Sequence, residues 1–130
     1  MINQNTKIYL AGHNGMVGSS CYRILKSEGF HNIITKSSKE LDLRDGKKIY
    51  DFLSKEKPTV IVNAAAKVGG IFANNNYPAE FIYENLMIQS NLIHSSFKAG
   101  TKKLLFLGSS CIYPKYASYP MQESELLSGK

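Results

Sequence analysis

The sequence has no tryptophan, only two cysteines and four prolines, and such scarcities exclude several classes of protein. Cys21 and Cys111 stand far apart and in no CxxC or Cys/His spacing. Neither a disulfide-stapled fold nor a metal site is therefore expected, and a reducing, cytoplasmic setting fits best. No stretch approaches the roughly 18 consecutive apolar residues of a membrane helix, and Met1 to Thr6 is polar where a leader would be charged and then apolar. Acidic residues are also few: 10 Asp and Glu against 16 Lys and Arg leave a formal charge of +6. That balance suits a polyanionic partner, but Lys7, Arg23, Lys36, Lys47, Lys57 and Lys103 are scattered, with no basic run longer than two. A solvated surface with one phosphate contact accounts for them, and neither nucleic acid nor a membrane is expected as a partner.

What is present is enough for one core. The 130 residues are 43% hydrophobic, which allows a single domain or part of one. Short β-favouring runs alternate with segments of helical period. Lys7 to Ala11 reads as a strand, followed by a glycine-rich turn and a helix over Met16 to Glu28 that Gly29 ends. A second strand covers Ile33 to Thr35. Asp45 is placed to cap a helix over Gly46 to Lys55, and Pro58 blocks its continuation. Val60 to Val62 is apolar at successive positions, as a strand covered on both faces should be, and Lys103 to Leu107 reads as a fourth strand with the apolar run Leu104-Leu105-Phe106-Leu107. Between them lies the longest helix, Pro78 to Lys98, whose wide apolar surface predicts burial against more than one neighbour. Such alternation predicts an α/β fold, a doubly wound parallel sheet of Rossmann type.

The turn after the first strand carries the clearest chemistry. In Gly12-His13-Asn14-Gly15-Met16-Val17-Gly18, the first glycine permits a tight reversal, the second admits a pyrophosphate and the third allows helix and strand to pack closely. The helix then directs its free amides and positive dipole end at the anion. The GxxGxxG spacing is typical of the extended short-chain dehydrogenase/reductase class. His13 reads as a loop residue with no catalytic role.

The end of the second strand decides between dinucleotides, because enzymes that use NAD usually place an acidic residue there to grip the ribose 2′-hydroxyl. Here it reads Thr35-Lys36-Ser37-Ser38-Lys39. Lys36 or Lys39 suits a 2′-phosphate, with Ser37 and Ser38 as hydroxyl donors, so NADP is the expected cofactor. Simple solvation of both lysines is the alternative. Asp42 has two readings, as acceptor for the adenine amino group with Leu43 against the ring, or as cap of the next turn.

Longer strings bring a resemblance. GHNGMVGS from Gly12, ELDL from Glu40, NAAAKVGGIFANNNYPAEFIYENLMIQSNLIH from Asn63, and KLLFLGSSCIYPK from Lys103 with YPMQESELLSG resemble the GDP-L-fucose synthase family over most of the chain. The resemblance implies NADPH-dependent epimerisation at C3 and C5 of GDP-4-keto-6-deoxy-D-mannose, followed by reduction at C4. It implies that Ser109 hydrogen-bonds the ketone oxygen and that Cys111 is one epimerising acid/base group. Without the resemblance, Ser109, Ser110 and Cys111 read first as a tight turn with a half-buried thiol. The resemblance also puts Lys67 and its loop near the nicotinamide and sugar, lets Ala64 and Ala65 make room for the cofactor, and implies a homodimer. The family often carries basic residues at the positions of Asn14 and Ser38, and their replacement softens the preference for NADP.

The YxxxK pair of the wider class is expected beyond Lys130, together with the histidine partner of Cys111 and the substrate domain. Tyr22-Arg23-Ile24-Leu25-Lys26 has the spacing but falls in the first helix, on the wrong side of the phosphate turn. Residues 1–130 are thus read as the amino-terminal part of a truncated NADP-binding domain, with negligible turnover alone.

Overall fold

Four parallel strands in the order β2-β1-β3-β4 form the frame of the protein, whose computed structural model describes residues 2–129. The central strand β1 (Ile8–Ala11) is buried at every position. It pairs with β2 (Ile33–Lys36) on one side and β3 (Val60–Asn63) on the other, so that Ala11 stands level with Lys36 and Asn63. The edge strand β4 (Lys103–Phe106) continues from β3, with Asn63 opposite Phe106. The strand ends therefore share one edge, and the order of strands reverses between β1 and β3, where open α/β sheets bind ligands.

Helix α1 (Met16–Ser27) joins β1 to β2 and packs on β1. The chain then crosses back to β3 and β4, so right-handed connections place α2 (Gly46–Glu56) and α4 (Pro78–Lys98) together on the opposite face. Tyr9, Ile49, Leu53, Ile61 and Leu92 fill the core there, and the Tyr9 ring meets Phe52 edge-on at 4.9 Å. Burial pushes the Tyr9 hydroxyl pKa up, because the phenolate would lose its water. The helix ends follow local chemistry. Asp45 accepts from the Lys48 amide at 3.0 Å to start α2, and left-handed Lys57 followed by Pro58 ends it. Pro78 occupies the first turn of α4, where its missing N–H costs nothing.

One expectation from the sequence changes. The outer side of α4 is uncovered, with Ile82, Leu86, Ile93 and Phe97 exposed, whereas Leu92 is fully buried. Only one side of the helix meets other described elements, which accounts for the difference. The edge strand β4 is covered unequally: Leu104 packs against the core, and Leu105 is 50% exposed. The short helix α3 (Ile71–Asn76) was not anticipated, since six residues are too few to establish a period. No helix among the described residues is long and apolar enough to cross a membrane.

Candidate functional site

Close approach of backbones builds the site. Gly12 has φ of 80°, and a Cβ there would stand 2.6 Å from the Ala64 carbonyl carbon. Gly18 lies buried beneath it, where a Cβ would collide with the Gly12 carbonyl oxygen. Neither position has space for a side chain, so α1 sits directly against the end of β1. The N-cap Gly15 supplies no side-chain acceptor, and the first-turn amides have no acceptor within the helix. An anion placed there would meet free N–H groups and the positive end of the helix dipole.

Above this turn opens a cleft of ≈ 830 Å³. Gly12, Asn14, Gly15, Met16 and Val17 form its floor on the α1 side, joined by His13. Lys36 and Ser38 line it from the end of β2, and Asp42 and Leu43 from the segment that follows. Ala64, Ala65 and Lys67 close it from the β3 loop. Their small side chains at positions 64 and 65 keep the cleft open next to Gly12. The described residues hold no group of three or more metal-ligating side chains.

The loop after β3 is held by two asparagines. Buried Asn63 accepts from the Ala65 amide and donates to the Ala65 carbonyl, both at 3.2 Å. Asn85 on α4 accepts from the Lys67 amide and donates to the Lys67 carbonyl, both at 2.9 Å. The Lys67 ammonium meets Glu84 at 2.5 Å, and the other Glu84 oxygen takes Arg44 at 3.1 Å. Arg44 in turn grips both oxygens of Asp42, with Nη2 2.8 Å from Oδ2. This chain of two cations and two carboxylates is electrically balanced. It ties the β2, β3 and α4 walls together.

These contacts answer how the acidic groups are engaged. The Arg44 side chain and amide hold the Asp42 carboxyl at about 2. Lys67 lowers the Glu84 carboxyl, first by hydrogen bonding and then by charge. Asp42 thus caps its own turn, accepting from the Arg44 amide at 2.9 Å. Lys36 is also paired, to Glu40 at 3.3 Å, whereas Lys39 has no carboxylate partner among the described residues. Glu40, Arg44, Glu84 and Asn85 were not singled out in the sequence. Glu84 and Asn85 meet partners seventeen to forty residues away, where spacing gives no sign of them, whereas Glu40 meets Lys36 only four positions off.

Ser109 and Cys111 follow β4 at the same sheet edge, one strand beyond the β3 loop. Both are exposed and stand outside the lining of the cleft. Ser109 Oγ accepts from the Cys111 amide at 3.2 Å and starts a 3₁₀ turn over Ser110–Ile112. That bond uses a lone pair and leaves the hydroxyl proton available. The Tyr22 and Lys26 pair lies along α1, with the ammonium 5.8 Å from the ring centre, and lines no part of the cleft.

Residues 8–130 match the model of the NAD dependent epimerase/dehydratase family. The chain belongs to that family. Among relatives of this NAD dependent epimerase/dehydratase member, GDP-L-fucose synthase 1 of Arabidopsis thaliana is 55% identical over 98% of the chain and 40% of its own length. The GDP-L-fucose synthase of Escherichia coli is 52% identical over 95% of the chain and 38% of its own length. Among solved structures, the GDP-mannoheptose C4 reductase MlghC from Campylobacter jejuni, with NADP bound, superposes with a TM-score of 0.93 at 42% identity. It is matched over all of this chain and 41% of its own. The chain thus spans about 40% of the length of the relatives it matches.

Proposed function

We propose that residues 1–130 are the amino-terminal, NADP-binding part of a GDP-L-fucose synthase, which epimerises GDP-4-keto-6-deoxy-D-mannose and reduces its C4 ketone. The observation that carries this reading is the common sheet edge shared by the glycine turn, the Lys67 loop and the Ser109–Cys111 turn. The fit to a dinucleotide rests on the cradle that a Cβ at Gly12 or Gly18 would fill, and on the open first turn of α1. In this reading Gly12, Asn14, Gly15, Met16, Val17 and Gly18 hold the pyrophosphate, and Lys36, Ser38 and Lys39 serve the 2′-phosphate. Leu43 lies against the adenine, with Asp42 beside it; Ala64, Ala65 and Lys67 border the nicotinamide.

When bound, NADPH supplies the hydride that reaches C4. The Ser109 hydroxyl donates to the ketone oxygen and stabilises negative charge that develops there, which makes the hydrogens on C3 and C5 more acidic. Cys111 exchanges a proton with one of these carbons, as thiolate when it takes the proton and as thiol when it returns one. The short turn between the two residues keeps the groups near each other. The protein works in the cytoplasm in this reading, and the exposed outer side of α4 supports a homodimer.

A titration and an assay test it. Purified protein is expected to bind NADP more tightly than NAD, and Lys36→Ala with Lys39→Ala together to weaken only NADP. Equal affinities would remove the phosphate assignment. These 130 residues alone are expected to give negligible NADPH oxidation with the 4-keto sugar, because they place no YxxxK pair at the site; turnover at the rate of a complete family member would overturn this. A second reading, a different nucleotide-sugar epimerase or reductase, is favoured by the likeness to the mannoheptose reductase. A non-catalytic NADP-binding module is the third, and binding of NADP without the GDP-sugar would favour it.

A further inference from the structure

The turn at the end of β2 gathers three donors around one of the protein's own carboxylates. The Glu40 and Leu41 amides both donate to the Ser37 carbonyl, at 3.0 and 2.9 Å, and so fold the segment back on itself. Glu40 Oε2 then accepts from the Ser37 amide at 2.8 Å and from the Ser37 hydroxyl at 2.7 Å. Its Oε1 accepts from the Lys36 ammonium at 3.3 Å. A backbone amide, a hydroxyl and an ammonium that converge on one anion are the donor set suited to a phosphate monoester. Lys36 and Ser37 line the cleft, whereas Glu40 does not. The protein's own carboxylate thus approaches these donors from outside the cleft.

The surrounding charges leave few substitutes. Arg44 and Lys67 are committed to Asp42 and Glu84, so Lys39 alone among the cleft-lining lysines and arginine lacks a carboxylate partner in the described residues. Ser37, through its hydroxyl and then its amide, and Lys36 hold the Glu40 carboxyl at about 2, so it is ionised at neutral pH. An exposed ion pair of this kind is weak enough for a phosphate dianion to displace.

We propose that Glu40 is a specificity-determining residue of the cofactor site, a resident anion that competes with the 2′-phosphate of NADP for Ser37 and Lys36. It lowers the affinity for NADP and leaves that for NAD nearly unchanged, which narrows the discrimination between them. This inference rests on the cleft taking a nicotinamide dinucleotide, as proposed above.

The test compares unaltered protein with Glu40→Gln by titrating NADPH and NADH and following nicotinamide fluorescence, with circular dichroism to verify folding. Glutamine still offers an oxygen to the Ser37 amide, so the turn has a means to persist. Glu40→Gln should tighten NADPH by roughly 3- to 10-fold, leave NADH within about twofold, and lose most of the gain near 0.5 M salt. Adding Ser37→Ala to Glu40→Gln should reverse much of the gain. An unchanged ratio of the two affinities in folded Glu40→Gln would overturn the inference while the cofactor reading stands. Weaker NADH binding would also overturn it, since the carboxylate would then be gripping a ribose hydroxyl. Binding of neither nucleotide by the unaltered protein would remove the cofactor reading and this inference together.

Discussion

The two halves of the site are held in different ways. Around β1, positions are set by buried backbone: Gly12 touches Ala64, Gly18 lies under Gly12, and Asn63 and Asn85 lock the next loop. After β4, Ser109 and Cys111 are exposed and joined by one local hydrogen bond. The cleft half thus has its walls within this chain, whereas the residues proposed for proton transfer stand on an edge that has few partners among the described elements. Rigid scaffolding is therefore concentrated where a large ligand would need a shaped cleft.

The largest way to break this contrast is Gly18→Val. The added side chain would enter the Gly12 backbone, so α1 should lift from β1, with a stability loss of about 3 kcal/mol or more and loss of dinucleotide binding. Denaturant unfolding and a nucleotide titration measure both. A wild-type melt with retained binding would show that the turn has slack. Next in size, Leu53→Ala removes a fully buried side chain and should cost about 2–5 kcal/mol. Leu105→Ala on the edge strand should cost under about 1 kcal/mol, because that side chain is already half in water. Equal losses would mean that β4 is covered after all.

The smallest effect comes from acid. Glu40 and Asp42 have folded pKa values of about 2, below their ordinary values of 4.5 and 3.8. Their contribution is therefore present above the ordinary values and disappears as pH falls through about 2. Both groups are largely open to solvent, so the loss should be modest and should shrink with added salt. Carboxyl titration followed by NMR, alongside melting at each pH, checks the direction; midpoints at ordinary values would show that the Ser37 and Arg44 contacts do not persist.

Much of the frame was legible because it follows from local rules. Asp45, Pro58, Pro78 and Gly29 mark helix ends through chemistry that needs no distant partner. The glycine turn was legible for the same reason, since its spacing records how closely two backbones approach. The Glu84 and Asn85 contacts were not, because α4 reaches back to Lys67 and Arg44 across intervening strands and loops. Nor did apolar period reveal which side of α4 would be covered; Leu92 and Phe97 are alike in hydrophobicity, and only packing separates them.

By itself, then, the sequence determined the alternation of strands and helices, the position of the phosphate-type turn and the family strings around Ser109 and Cys111. Tertiary structure alone decided that Glu84 on α4 reaches both Arg44 and Lys67, and that Asn85 holds the Lys67 backbone. The physical reason is range. Backbone preferences act over a few neighbouring residues, but charge pairing and burial depend on which distant segments the sheet brings together.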